Sequence, residues 1–212
     1  MLLIWDLDGT LVDSRADIVA AANAALSELG HPALPAASIA SFVGDGIGAL
    51  IERLLPSGSA AERERCRLAF IAQYAVGCCR ETVAYPGIHA ALRDLSVAGW
   101  RHAVATNKAQ AYVGPILTHC HLGGSIVTVR GGDGRRKPDP WQLLDIAREL
   151  GEDISQAWMI GDHHTDIEAA HAAGCKVLFC TWGMGRSNGL AVDALAMAPD
   201  EIAGRLAGFP RV

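Results

Sequence analysis

Beyond Pro86-Gly87 the chain alternates short apolar runs with stretches of helical periodicity, and this rhythm constrains the fold more than any other feature. Ile88, Ala91, Leu92 and Leu95 mark a helix that stops at Gly99. Residues 102–106 read as a strand, 110–120 as a helix and 125–129 as a short β-branched strand. Residues 141–150 form a helix ended by Gly151, 157–160 a strand, 166–173 a helix and 176–181 a strand. One more apolar run, residues 2–5, stands at the N-terminus and ends in Asp6, with Gly9 soon after. Strands of this length in alternation with helices must be buried on both faces, which means a parallel sheet between two helical layers.

The stretch between the first run and the rest has a different texture. Ile18, Ala22, Leu26 and Leu29 recur at helical spacing and Gly30 ends the run. Ile47, Leu50, Ile51, Leu54 and Leu55 repeat in the same way before Pro56. Residues 60–78 are polar on one side, with Phe70 and Tyr74 on the other. Three helical segments without a strand read as an inserted subdomain. The expected organisation is an α/β core of residues 1–14 and 84–212, Rossmann-like with helices on both faces, and an α-helical cap of residues 15–83.

Composition narrows the function classes. Half of the 212 residues are hydrophobic and 19% are charged, a globular profile. A net charge of -5 gives no electrostatic footprint for nucleic acid. No uncharged apolar run reaches the ~18 residues of a membrane span, and the N-terminus lacks a basic region and a long apolar stretch. None of Cys66, Cys78, Cys79, Cys120, Cys175 and Cys180 lies in a C-x-x-C pair or at zinc-ligand spacing. Reduced thiols in a cytoplasmic protein are the expectation, with neither nucleic acid nor membrane as partner.

Polar residues gather at the carboxyl ends of the expected strands. Asp6 and Asp8 follow the first strand, Thr106-Asn107 the run 102–106, and Gly161-Asp162 the run 157–160. Ligands of open α/β sheets bind at that edge, so residues far apart in sequence are expected to meet there. Asp6, Asp8, Asp162 and Asp166 would repel one another unless a cation lay between them. Mg²⁺ suits carboxylate oxygens and shares phosphate readily. Lys137 offers a second positive charge, and the Thr106 hydroxyl can bind phosphoryl oxygens.

These residues are identified as the motifs of a known family. Asp6-Leu7-Asp8-Gly9-Thr10-Leu11-Val12-Asp13-Ser14 resembles the first motif of the haloacid dehalogenase superfamily, Thr106-Asn107-Lys108 the second, Lys137-Pro138 the third, and the run from Gly161 to Asp166 the fourth. The resemblance spans nearly the whole chain, and the helical insert is similar to the small cap of the phosphoglycolate phosphatase-like branch. It implies Asp6 as nucleophile, forming an aspartyl-phosphate, and Asp8 as general acid and base. It implies Mg²⁺ held by Asp6, the Asp8 carbonyl, Asp162 and Asp166, and phosphate held by Thr106, Asn107 and Lys137. Asp8, which dehalogenases of this family lack, favours phosphate chemistry.

The expected activity is hydrolysis of a small phosphomonoester, with 2-phosphoglycolate the leading candidate, by a monomer or homodimer. A carboxylate on the substrate calls for a cation from the cap, with Arg15, Arg53 and Arg80 as possibilities. The alternatives are a sugar phosphomutase of the β-phosphoglucomutase type or a pyrophosphatase. An inactive binding protein is disfavoured because every catalytic position is filled, and a phospho-receiver domain because its acceptor ends the third strand. Gly44-x-Gly46-x-Gly48 does not fit a nucleotide fingerprint and reads as a mobile cap loop. His163 and His164 depart from the family pattern; they are expected to line the mouth of the site, with a softer metal as the alternative. Trp5 is expected to be packing only, and His31, His89, His102, His119, His121 and His171 surface or packing residues.

Overall fold

The computed structural model describes residues 1–207. Strand β1 (Leu2–Trp5) leads into the short β2 (Val12–Asp13). Helices α1 (Arg15–Glu28), α2 (Ala36–Ala40), α3 (Ile47–Leu54) and α4 (Ala60–Gly77) follow before β3 (Val83–Ala84). The chain continues through α5 (Ile88–Val97), β4 (Arg101–Ala105), α6 (Gln110–His119), β5 (Ile126–Arg130), α7 (Trp141–Leu150) and β6 (Trp158–Gly161). It ends in α8 (His164–Ala173), β7 (Lys176–Cys180), β8 (Ala194–Ala196) and α9 (Ile202–Ala207).

Six strands pair in the order β5-β4-β1-β6-β7-β8, all parallel, as the strand–helix alternation requires. The order puts β1 at the centre, between β4 and β6, so Asp6 emerges at the middle of the sheet's carboxyl edge. Side chains alternate across the sheet as a period of two dictates. Leu3 and Trp5 join Val104, Ile160 and Leu178 in one core, packed with helices α5, α6 and α9. Leu2 and Ile4 join Ala103, Met159 and Val177 in the other, packed with α7 and α8. The first core continues without a break into α1, α3 and α4 through Ile18, Leu50, Phe70 and Tyr74.

Antiparallel pairing of β2 with β3 forms a two-stranded ribbon at which the chain leaves the sheet and returns. Asp17, buried near the start of α1, fastens that exit. Its carboxylate accepts from the Glu81 and Thr82 backbone N–H groups and from the Thr82 hydroxyl at 2.7–3.1 Å. Four helices rather than three occupy the insert, because α2 is too short to show a periodicity. Helix α8 begins at His164 rather than Asp166, since His163 caps it.

One core assignment changes. Trp5 does more than pack: its Nε1–H donates to His102 Nδ1 at 3.1 Å, and His102 Nε2 meets Ser96 Oγ at 3.1 Å. His102 is 1% exposed, and burial lowers its pKa to about 4, so the ring is a neutral acceptor.

Candidate active site

Asp6, Asp162 and Asp166 meet where β1 and β6 end. Each can place one carboxylate oxygen within 4.8 Å of the others, and all three are buried. Asp6 Oδ1 accepts from the Leu7 backbone N–H at 2.7 Å and from Lys137 Nζ at 2.9 Å. Lys137, 2% exposed, also donates to Asp166 Oδ1 at 2.6 Å. Burial disfavours the Lys137 charge, but Asp166 and Asp6 outweigh it and hold the pKa above its ordinary value.

One buried lysine does not balance three carboxylates. Burial first, then the opposing contributions of Lys137 and Asp166, leave the Asp6 pKa at about 6. Burial and the charges of Asp6 and Asp166 raise Asp162 to about 7, against the pull of the Gly185 and Met184 N–H groups. An all-carboxylate, buried and charge-starved donor set fits a hard divalent cation. The backbone fits as well. Gly9 has φ +88°, and a Cβ there would stand 2.3 Å from Asp162 Oδ2, so only glycine lets the first loop pass the carboxylate.

Asp162 is fixed from a loop that the motifs did not reveal. Its Oδ2 accepts from the Met184 and Gly185 N–H groups, both at 2.8 Å, and Oδ1 from the Thr10 hydroxyl at 3.1 Å. Gly183 must lack a side chain, since a Cβ would lie 2.2 Å from Asp162 Oδ2. The signal in the sequence was Gly183-Met184-Gly185 directly after the last long apolar run.

Asp8 turns to the other side. Lys108 Nζ donates to both Asp8 oxygens at 2.9 Å, and the Ser14 hydroxyl donates to Oδ1 at 2.5 Å. The Lys108 ammonium also sits over the Tyr74 ring, 4.7 Å from its centroid. Burial opposes its charge, yet Asp8 outweighs burial and holds its pKa above the ordinary range. Lys108 belongs to the second motif, but the resemblance gives it no role of its own.

Thr106 and Asn107 both reach the site at the end of β4. Thr106 Oγ1 accepts from the Lys108 N–H at 3.2 Å, which leaves the hydroxyl hydrogen to give. Asn107 Nδ2 donates to the Gly44 and Lys137 carbonyls, both at 2.9 Å. Both amide hydrogens are therefore committed, tying the α2–α3 loop to the Lys137 loop, while buried Oδ1 has no hydrogen-bond partner among the described residues. Asp166 is equally occupied. Beyond the Lys137 contact its Oδ2 accepts from the His163 N–H at 3.0 Å, closing the N-terminal cap of α8. Burial, then the charge of His164, lowers the His163 pKa to about 4.

Above these groups lies a pocket of about 80 Å³, lined by Asp6, Asp8, Thr106 and Lys108 below and by apolar residues such as Ile47, Leu50 and Phe70 above. Lys108 is its one cationic lining residue among the described residues. Arg15 pairs with Asp13 and Arg53 with Asp45, and neither they nor Arg80 line this pocket.

The haloacid dehalogenase-like hydrolase family model matches residues 3–180. A phosphoglycolate phosphatase of Neisseria meningitidis serogroup A is 38% identical over 209 residues, 95% of this chain and 88% of that protein. One from Pseudomonas putida is 33% identical over 215 residues, 98% of this chain and 79% of that protein. A crystal structure of a predicted phosphoglycolate phosphatase from Haemophilus somnus 129pt superposes with a TM-score of 0.88 at 27% identity, covering 96% of each chain. Fold, site and relatives together define a phosphatase built on a parallel α/β sheet. More particularly, the chain belongs to the haloacid dehalogenase-like hydrolase family. Among the described residues no helix is long and apolar enough to cross a membrane.

Proposed function

We propose that this phosphatase hydrolyses a small phosphomonoester, 2-phosphoglycolate first among candidates, with Asp6 as nucleophile and Mg²⁺ as cofactor. The observation that carries the reading is the meeting of Asp6, Lys137, Asp162 and Asp166 at one sheet edge, under a pocket that Asp6 and Asp8 help to line. Residues 15–83 act as the cap and residues 1–14 and 84–207 as the core, the expected remainder of the core, 208–212, lying outside the described residues.

Both contacts to Asp6 fall on Oδ1, which leaves Oδ2 to attack phosphorus. The ester P–O bond breaks, and the leaving oxygen takes a proton from Asp8. Asp8 must first release the Lys108 ammonium and take up a proton from solvent, and an anionic substrate draws that ammonium away. In the second half Asp8 takes a proton from water as the water attacks the aspartyl-phosphate, freeing phosphate and restoring Asp6. Lys137 and the Thr106 hydroxyl hold phosphoryl oxygens through both halves. Asp6, Asp162 and the Asp8 carbonyl, with Asp166 beside them, would hold Mg²⁺, which would offset the charge of carboxylates and phosphate. Lys108, rather than an arginine of the cap, is the partner for a substrate carboxylate.

Phosphate release from 2-phosphoglycolate, hexose phosphates, nucleoside monophosphates and pyrophosphate, with and without Mg²⁺, tests this. Highest kcat/KM on 2-phosphoglycolate, dependent on Mg²⁺, supports it. Faster interconversion than hydrolysis of a hexose phosphate, or preference for pyrophosphate, overturns the substrate assignment.

A further inference from the structure

A second cluster of ligating side chains faces a different cavity. Asp45 in the α2–α3 loop, His163 before α8 and His164 at its first residue can each bring one ligand atom within 4.8 Å of the others. They line a cavity of about 720 Å³ with Gly183, Met184 and Gly185, and neither Asp6, Asp8 nor Asp162 lines it. Nothing in the phosphatase reading uses these three side chains.

His164 is already held as metal-binding imidazoles are held. A ligating histidine gives its remote N–H to an oxygen, which fixes the ring and frees the other nitrogen's lone pair. His164 Nδ1 lies 3.3 Å from Glu168 Oε1, and its Nε2 faces Asp45 Oδ1 at 3.7 Å. His163 Nδ1 accepts the Thr165 N–H at 3.4 Å and lies 3.0 Å from the Thr165 hydroxyl, so ligation through Nε2 moves the ring proton to Nδ1, which then donates to that hydroxyl. Its Nε2 lies against the α2–α3 loop, since a Cβ on Gly44 would stand 2.6 Å from it. The ring centroids are 4.2 Å apart. On the third ligand, Arg53 takes Asp45 Oδ2, which leaves Oδ1 toward the histidines.

The geometry points to a second metal site at Asp45, His163 and His164, which takes a borderline divalent ion such as Zn²⁺ and pins the α2–α3 loop to the start of α8. Two imidazoles and one carboxylate form a donor set that suits Zn²⁺ and not Mg²⁺, with water or an incoming anion as a fourth ligand from the cavity. Asn107 already ties Gly44 to the Lys137 loop, so the ion acts on a segment that borders the active pocket. Opening of the cap for substrate exchange must break this clasp.

The test is binding and does not rely on catalysis or on the substrate assignment. The full chain carrying Asp6→Asn, which weakens the carboxylate site, is dialysed against Zn²⁺ in a large excess of Mg²⁺. We expect about one Zn²⁺ retained per chain. Adding His164→Ala, or the gentler Asp45→Asn, lowers the affinity at least about tenfold. Hydrogen exchange at residues 43–46 slows on Zn²⁺ addition in Asp6→Asn and stays unchanged in the two double variants. No retained Zn²⁺, or equal retention by folded double variants, overturns the site. Retention without slower exchange at residues 43–46 overturns the clasp.

Discussion

Asp162→Asn should stabilise the metal-free protein, although it removes a residue assigned to the active site. Asp162 has its folded pKa raised from 3.8 to about 7. Between about pH 4 and 7 the folded state therefore holds a proton that the unfolded chain has released, so stability falls as pH rises through that window. Each pKa unit corresponds to about 1.4 kcal/mol, so the group costs about 4 kcal/mol at pH 8 and under about 1 kcal/mol at pH 4. Asparagine keeps an acceptor for the Met184 and Gly185 N–H groups without the charge. Urea unfolding with chelator should thus find the variant more stable by about 4 kcal/mol at pH 8, the gap closing toward pH 4. Saturating Mg²⁺ should stabilise wild type far more than the variant and narrow or reverse the order at pH 8. A gap independent of pH, or one that widens on acidification, would refute the charge-starved cluster.

Gly9→Ala forces a Cβ into Asp162 at a φ of +88°, and should cost at least about 2 kcal/mol in urea unfolding; a loss under about 0.5 kcal/mol contradicts the tight passage. Lys108→Met should raise KM for 2-phosphoglycolate at least about tenfold more than KM for ethyl phosphate, which lacks the carboxylate. Equal effects on the two KM values remove Lys108 as the carboxylate partner. Trp5→Phe leaves His102 Nδ1 buried without its donor and should cost about 1–3 kcal/mol of unfolding free energy; a change within about 0.3 kcal/mol contradicts that role.

The α/β core was legible in the sequence because buried parallel strands are short apolar runs set between helical periodicities. Elements without such a signature escaped: β2 and β3 are two residues each, α2 has five, and β8 is Ala-Leu-Ala at the sheet's edge. The carboxylates and Lys137 could be named because they follow strands or stand in ordered motifs. Their partners could not. Lys108 acts through a side chain that crosses to Asp8, 100 residues away, and the Met184–Gly185 loop acts through backbone N–H groups that any sequence carries. The tie made by Asn107 was not legible either, because its two amide hydrogens go to carbonyls of loops distant in the chain.

The central claim is that Asp6 carries the phosphoryl group, and chemical trapping tests it most directly. Enzyme turning over 2-phosphoglycolate with Mg²⁺ is acid-quenched and reduced with borohydride, and the peptide spanning residue 6 is analysed by mass spectrometry. The account predicts conversion of Asp6 to homoserine, dependent on substrate and absent from Asp6→Asn, which releases no phosphate. Turnover by Asp6→Asn, or substrate-dependent homoserine at another aspartate, would contradict it.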